Sequence, residues 1–285
     1  MSKLIYAGLM RLRRSWLFWL ALVGIAAVSV YRCANDVHNA GYFEWMLFDD
    51  TVYFCFLYAA FIGLFVGTEY SDGTMRNKLA VGHTRAAVYG ANLTVSALAC
   101  VSFQLVMCAV MWIVGPVNIG MLDQPGVTVF YMLCALLVNV AFAAAFTAIS
   151  MNCANKAGAT VLAIGVAFLM FFVSAQIDDL LDQSEMTQVG PTIIEMMEDG
   201  SLRMEPPETK ENPNYIPEGP LRDALSTINA FLPVGQTIGM MELYSLWRGV
   251  WPETIEHWYW PILSLLFAAA ATAGGLAVYK RKDIK

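Results

Sequence analysis

Charged residues are scarce in this sequence, and none of them falls within its long apolar runs. Asp, Glu, Lys and Arg make up 14% of the 285 residues, whereas soluble domains carry roughly 25%. The mean hydropathy is +0.55. Six uncharged runs each approach the roughly 20 residues that a helix needs to cross a bilayer. The runs are Ser15–Tyr31, Thr51–Gly67, Ala91–Val114, Val127–Ser150, Ala157–Gln176 and Trp258–Tyr279. The sequence therefore predicts an all-α integral membrane protein with six transmembrane helices.

The lack of ionisable residues in these runs argues against several kinds of membrane protein. Ion-coupled transporters place Asp, Glu, His or Arg at membrane depth, and an intramembrane protease needs an HExxH motif or two aspartates there. The three histidines, His38, His83 and His257, all fall between runs. A phosphate loop of the form G-x-x-x-x-G-K-[ST] is also missing. We therefore assign no catalytic residue and no metal ligand, and we do not expect an enzyme.

The runs do contain a few polar side chains. Gln104 and Asn139 are candidate residues of a substrate pathway. Such amides also form hydrogen bonds between helices in membranes, and both interpretations stay open. Gly63 and Gly67 form a G-x-x-x-G pattern, which is typical of two helices that pack closely.

The six cysteines do not form the pattern of a disulfide framework. Four lie within the runs and Cys153 follows the fourth, so only Cys33 is expected on the outer side. The first run, which follows basic residues, also fits a signal peptide. A small-residue cleavage site is missing before the next polar stretch, so we favour a retained span.

Basic residues collect on one side of the predicted membrane. Twelve of the seventeen precede the first span, follow the sixth, or lie in the second-to-third and fourth-to-fifth loops, together with only three acidic residues. Cytoplasmic segments are enriched in Lys and Arg. This sorting predicts that both termini lie in the cytoplasm.

The chain divides into four segments. Residues 1–14 are predicted to form an amphipathic interfacial helix, 15–176 the first five spans, 177–257 an outer loop, and 258–285 the sixth span with a basic tail. Within the loop, Glu205–Pro220 is too rich in proline for a helix. Helices are predicted at Thr192–Glu198, Leu221–Phe231 and Gln236–Trp247. An aromatic belt is predicted from Trp247, Trp251, Trp258, Tyr259 and Trp260.

The cytoplasmic segment after the second span, residues 69–85, is patterned as a short helix. Ser71 or Asp72 is predicted to cap its start. Gly82 is predicted to end it in a left-handed conformation, and Thr84 to cap the following helix. A loop that only fixes topology through its basic residues is the alternative.

This segment, EYSDGTMRNKLAVGHTR, resembles the one that follows the second span of bacterial type-two ABC transporter permeases. That segment typically reads E-x-x-x-G-T-[LM]-[RK]-x-x-L-x-x-G-x-[ST]-R. The matching residues are Glu69, Gly73, Thr74, Met75, Arg76, Leu79, Gly82, Thr84 and Arg85. In such permeases this helix is a coupling helix, which transmits the closure of an ATPase. The resemblance implies an ATPase-coupling interface of Glu69, Asp72, Gly73, Thr74, Met75, Arg76, Lys78, Leu79, Gly82 and Arg85.

Two interpretations of the function follow. The resemblance implies the permease subunit of an ATP-driven exporter in a bacterial cell membrane, with an antimicrobial peptide, antibiotic or lipid-like amphiphile as cargo. Two ATPase subunits would bind ATP and Mg²⁺, and a second permease, identical or homologous, would complete the pore among membrane lipids. We expect no cofactor in this chain and no nucleic-acid partner. The alternative is a non-transporting sensor or scaffold whose outer loop detects antimicrobial peptides.

Overall fold

The computed structural model describes residues 1–35, 43–118, 124–189, 193–196, 202–205, 208–244 and 252–282. The helices are α1 (Ser2–Arg14), α2 (Trp16–Asn35), α3 (Phe43–Asp49), α4 (Phe54–Ser71), α5 (Thr74–Ala80), α6 (Arg85–Asn118), α7 (Pro125–Asn152), α8 (Lys156–Asp182), α9 (Pro220–Phe231), α10 (Pro233–Leu243) and α11 (Trp260–Arg281). A 3₁₀ turn at Asp50–Tyr53 joins α3 to α4. The strands are β1 (Met186–Val189), β2 (Ile193–Met196), β3 (Leu202–Glu205) and β4 (Glu208–Glu211).

The predicted count of six membrane-spanning helices is confirmed. Within the described residues, six helical segments are long and apolar enough to cross a membrane. They are Trp16–Asn35, Phe43–Ser71, Arg85–Gly115, Pro125–Asn152, Lys156–Asp182 and Trp260–Arg281. Most extend beyond the predicted runs, because a helix continues past the hydrocarbon core into the polar interface. The protein is thus a multi-pass membrane protein.

Helix α7 forms the centre of the bundle and contacts α4, α6, α8, α10 and α11. Small side chains line it, and Ala141, Ala143 and Ala144 are fully buried. Helix α11 approaches it closely at Gly275, where an added Cβ would lie 2.5 Å from the Cβ of Ala148. A helix that is apolar on all sides and contacts neighbours all round is typical of the interior of a membrane bundle.

Helices α4 and α8 also pack closely, as the G-x-x-x-G pattern predicts. A Cβ at Gly63 would lie 2.7 Å from the Thr160 Cα, and one at Gly67 would lie 2.8 Å from the Lys156 Cα. These neighbours are backbone atoms, so a side chain cannot enter without separating the helices. This contact places the start of α8 beside the end of α4.

The amphipathic helix α1 packs on α6 rather than standing alone. Its Leu4 and Leu12 are buried. Gly8 lies against Val95, because a Cβ added at Gly8 would lie only 2.7 Å from the Val95 Cγ2. The end of α1, the end of α4, α5, the start of α6 and the end of α11 all meet at one end of the bundle. We call it the Glu69 end, and its cytoplasmic location stays a prediction from the charges.

The opposite end of the bundle contains β-structure that the sequence did not predict. Strand β1 pairs with β4, and β2 pairs with β3, all antiparallel. The predicted helix at Thr192–Glu198 is therefore wrong: Ile193–Met196 is a strand. The β-branched Ile193 and Ile194 favour a strand. The predicted Leu221–Phe231 helix is confirmed as α9.

The predicted aromatic belt stays a prediction, and the structure describes three of its five members, Trp258, Tyr259 and Trp260. Trp258 is exposed, but Trp260 is buried at 4% exposure and packs against Tyr131, with 5.8 Å between ring centroids. Trp247 and Trp251 lie outside the described residues, as does the end of the predicted Gln236–Trp247 helix. The side chain of Trp260 therefore faces the interior of the bundle.

Candidate functional site

Glu69 is the centre of a buried polar cluster at the end of α4. Its side chain is 2% exposed, and one carboxylate oxygen, Oε1, lies 2.5 Å from both Arg11 Nη1 and Lys78 Nζ. The other oxygen, Oε2, accepts a hydrogen bond of 3.0 Å from Asn92 Nδ2. A buried carboxylate needs such partners because desolvation of an unpaired charge is costly. One carboxylate therefore connects α1, α4, α5 and α6.

The position of Arg11 in this cluster was not predicted. The guanidinium of Arg11 pairs with Glu69 and lies 3.9 Å from the centroid of the Phe65 ring. Burial lowers the pKa of Arg11, and the carboxylates of Glu69 and Asp72 oppose that shift. The side chain thus fixes α1 to the end of the second span.

Helix α5 begins at a glycine rather than at the predicted polar cap. Gly73 is its N-cap residue, in the left-handed region with φ of +67°. Ser71 cannot cap it, because α4 continues through this residue, and its hydroxyl accepts a hydrogen bond from the Lys156 N–H. Asp72 does not cap it either. Instead the Thr74 hydroxyl donates to the Glu69 carbonyl over 3.1 Å.

The end of α5 agrees with the prediction. Gly82 has φ of +94°, which favours glycine. The N–H of His83 donates to the Lys78 carbonyl over 3.3 Å, and that of Gly82 to the Leu79 carbonyl over 3.0 Å. Thr84 then caps α6, as predicted, by accepting a hydrogen bond from the Ala87 N–H. These turns hold α5 between two spans.

Helix α5 has one face turned inward and one turned outward. Met75 is fully buried against other helices of this chain, and its place in the ATPase-coupling interface stays a prediction. Lys78 forms an ion pair with Glu69. Arg76 and Asn77 are exposed and line a surface cavity of about 500 Å³ together with Asp72, Gly73, Leu79, Ala80 and Arg85.

Arg85 contacts the end of the last span. Its Nη1 donates to the carbonyls of Tyr279 over 2.9 Å and Lys280 over 3.1 Å, and it also bonds the Lys282 carbonyl. The last carbonyls of a helix have no partner within the helix and carry partial negative charge. Arg85 therefore caps α11, a role that the sequence did not reveal.

Lys282 completes this connection between α11 and the α7–α8 link. Its Nζ donates to the Cys153 carbonyl over 2.7 Å, and lies 4.2 Å from the centroid of the Tyr70 ring. Burial lowers the pKa of Lys282. Nearby, Asn152 donates to the Gly275 carbonyl over 3.0 Å. These contacts join the ends of four spans, α4, α6, α7 and α11, around the segment 69–85.

The two candidate pathway residues lie in the interior of the bundle. Gln104 and Asn139 are 2% and 3% exposed, and Asn139 Nδ2 donates to Gln104 Oε1 over 3.4 Å. This pair joins α6 to α7, as expected for an interhelical amide bond. Their role in a substrate pathway stays a prediction.

A comparison with known protein families finds a match to the first part of the chain. The profile of the family described as ABC-2 family transporter protein matches residues 4–177. The match includes α1, the first five spans and the whole 69–85 segment, and it stops before the outer loop. No curated protein matches the chain.

Proposed function

Because the chain belongs to the family of ABC-2 transporter proteins, we propose that this permease subunit is driven by a separate ATPase and exports an amphipathic compound. The cargo we propose is an antimicrobial peptide, an antibiotic or a lipid-like amphiphile. ATP and Mg²⁺ would be bound by two ATPase subunits, and a second permease would complete the transporter in a bacterial cell membrane.

The observation that carries the proposal is the two-sided construction of α5. A helix that receives force from an ATPase needs one face exposed to that partner and another fixed to the spans that must move. Arg76 and Asn77 are exposed, whereas Met75 is buried and Lys78 is bound to the buried Glu69. Such a helix can act as a lever, which a loop that only fixes topology does not require.

The predicted interface residues separate into two groups on this basis. Asp72, Arg76 and Leu79 border the surface cavity and are proposed to contact the ATPase. Glu69, Met75, Lys78 and Arg85 are proposed to transmit its movement, because they contact other helices of this chain. Gly73, Thr74 and Gly82 shape the turns at the two ends of α5.

The proposal is tested by expressing the chain with a separately encoded ABC ATPase and measuring co-purification and ATP hydrolysis in lipid vesicles. Arg76→Glu should leave the fold intact and remove the coupling between hydrolysis and transport. Lys280→Glu, an exposed charge reversal at the same end of the bundle, is the matched control. Normal coupled transport in Arg76→Glu would contradict the assigned role.

A sensor or scaffold is the second candidate, and the folded outer region favours it. The described part of the chain between α8 and α11 contains two antiparallel strand pairs and two helices, which is more structure than a connecting loop requires. A sensor would keep signalling when the partner ATPase cannot hydrolyse ATP. Loss of all response with a hydrolysis-deficient ATPase would support transport instead.

A further inference from the structure

Helix α9 carries an apolar stripe on its exposed side. Leu221 and Ile228 are 63% and 50% exposed, and Ala224 lies exposed between them. The spacing of three and four residues places all three on one face of the helix. Single exposed apolar side chains are ordinary on a protein surface, whereas a stripe along one helix face indicates contact with an apolar partner. The depth of α9 in the membrane decides which partner that is.

The C-terminal end of α9 lies beside the membrane-spanning part of α11. The ring of Phe231 packs against the ring of Phe267, with 5.5 Å between centroids. Helix α11 has 22 residues and is therefore about 33 Å long, close to the roughly 30 Å of the hydrocarbon core. Phe267 is the seventh residue after Trp260, where α11 begins, and so lies about 10 Å along the helix. Phe231 therefore lies at a depth that acyl chains occupy.

The N-terminal end of α9 lies at the end of α8. The guanidinium of Arg222 donates to the carbonyls of Leu181 over 2.5 Å and Ile216 over 2.9 Å, and Leu181 is the next-to-last residue of α8. The charged residues of α9, Arg222 and Asp223, are both in its first turn, and the eight residues Ala224–Phe231 carry no charge. A helix that enters the hydrocarbon from the interface needs this order, because a charge is costly at depth.

Hydrogen bonds within the protein hold the turn between α9 and α10. Gln236 is fully buried, and its Nε2 donates to the Ala230 carbonyl over 2.7 Å. Its Oε1 accepts a bond of 2.7 Å from the Ser264 hydroxyl of α11. The Leu232 N–H donates to the Ile228 carbonyl over 3.1 Å. Backbone that leaves a helix at membrane depth needs such partners, because lipid tails offer no hydrogen bonds.

Helix α10 then returns the chain to the end of the bundle at which α9 began. The hydroxyl oxygens of Tyr244 and Thr128 lie 3.4 Å apart. Tyr244 directly follows α10, and Thr128 is in the first turn of α7, whose other end lies at the Glu69 end. The pair of helices α9 and α10 thus enters the bundle and leaves it on the same side.

The stripe lies next to a surface that already faces lipid. Leu265 and Leu266, which precede the contact of Phe267 with α9, are 52% and 54% exposed on a membrane-spanning helix. Helix α9 packs against both α8 and α11, so its exposed side points away from the bundle. An apolar face at this depth, beside the lipid-facing side of α11, fits acyl chains.

We propose that α9 and α10 form a re-entrant hairpin in the leaflet at the end opposite Glu69, and that the stripe of Leu221, Ala224 and Ile228 binds the acyl chains of that leaflet. The hairpin is then part of the membrane domain rather than part of a loop on its surface. It follows residue 177, where the family match ends, and lipid binding by its stripe requires no ATPase.

The depth is tested with spin labels on the full chain in phosphatidylcholine nanodiscs. Leu221→Cys, Ala224→Cys and Ile228→Cys are each made in a Cys153→Ser background, because the other five cysteines are buried. The access of each label to oxygen, which dissolves in lipid, is compared with its access to a water-soluble nickel chelate. Asp223→Cys, at an exposed residue of the first turn, is the control that the chelate should reach.

We expect the labels to lie progressively deeper along the stripe. Helix α9 descends by about 10 Å over its 12 residues, so the label at position 228 should lie about 6 Å deeper than the label at position 221. Equal depths would mean that α9 rests on the membrane surface and would overturn the hairpin. Protection of the label at position 228 from both reagents would mean that a protein surface, such as a second copy of the chain, covers the stripe, and would overturn lipid binding.

The chain without substitutions gives an independent measurement. Nanodiscs are prepared with a phosphatidylcholine that carries a photoreactive diazirine in its acyl chain, and the cross-linked residues are mapped by mass spectrometry. We expect cross-links on α9 and on Leu265 and Leu266, and almost none on α10, which is mostly buried. Cross-links on α11 without any on α9 would contradict the proposal. Either failure would leave the ATPase-coupling test of the proposed function unaffected.

Discussion

Arg11 and Glu69 form an ion pair, with 2.5 Å between Arg11 Nη1 and Glu69 Oε1, that joins the interfacial helix α1 to the end of the second span. The same oxygen binds Lys78 of α5. A displacement of α5 would therefore act on α1 and α4 together, through a carboxylate that is 2% exposed. This geometry makes α1 a structural part of the Glu69 end rather than only a signal for membrane orientation.

Replacing this carboxylate should destabilise the protein strongly. Glu69→Gln leaves the partly buried Arg11 and Lys78 without their nearest counter-charge, and breaking a buried ion pair in this way costs about 3 kcal/mol or more. Asp72→Asn removes an exposed carboxylate three residues away and should change the free energy of unfolding by less than about 0.5 kcal/mol. Denaturant titrations of both variants in detergent provide the comparison. Equal losses in the free energy of unfolding would show that the buried Glu69 carboxylate stabilises the protein no more than the exposed Asp72 carboxylate.

Removal of the Arg85 side chain should release the end of α11. Arg85→Ala leaves the carbonyls of Tyr279 and Lys280 without this donor, and hydrogen bonds from charged groups contribute about 1.5–3 kcal/mol. Amide hydrogen exchange in the last turn of α11 should then accelerate by about tenfold or more. Arg281→Ala, which removes an exposed charge from the same turn, is the control. Protection that is equal in the two variants would refute the cap.

The sequence predicted the six spans, because a long uncharged run in a membrane has few alternatives to a helix. It also predicted the end of α5 at Gly82, because a glycine in the left-handed conformation is a common end of a helix. It did not predict the inward face of α5. A helix of seven residues is less than two turns long, so periodicity cannot tell Met75 from Arg76. The bonds of Arg11 and Arg85 were missed for a different reason: their partners are distant in sequence, and α1 and the tail of α11 are placed only by tertiary packing.

The closeness of α4 and α8 should make Gly63 intolerant of any side chain. Gly63→Ala places a methyl group 2.7 Å from the Thr160 backbone, and overpacking of this kind costs about 1–3 kcal/mol. Gly165→Ala is the matched control, since a Cβ at Gly165 in α8 meets nothing within 4 Å. Thermal unfolding in detergent should show a clear loss for the first and none for the second. An unchanged unfolding temperature for Gly63→Ala would mean that α4 and α8 can move apart without a loss of stability.

The amide pair of Gln104 and Asn139 should stabilise the bundle modestly. Interhelical hydrogen bonds in membranes contribute about 0.6 kcal/mol on average, so a double-mutant cycle with Gln104→Leu and Asn139→Leu should give a coupling of this size in the free energy of unfolding. We expect transport per folded molecule to remain unchanged. A normal fold with altered transport of one substrate relative to another would instead favour the pathway interpretation.

The orientation of the chain in the membrane can be tested by chemical labelling of Cys153. It is the partly exposed cysteine, whereas the other five are buried, and it lies in the α7–α8 link at the Glu69 end. A membrane-impermeant maleimide should therefore label inside-out vesicles and not right-side-out vesicles, and Cys153→Ser should abolish the signal. Burial raises the pKa of the Cys153 thiol above its ordinary value, although Lys282 opposes the shift. Because the thiolate is the reactive form, the labelling rate should rise with pH and should reach its plateau at a higher pH than the rate for an unburied thiol. Labelling of right-side-out vesicles would reverse the predicted topology and place the Glu69 end outside the cell, where no ATPase could reach it.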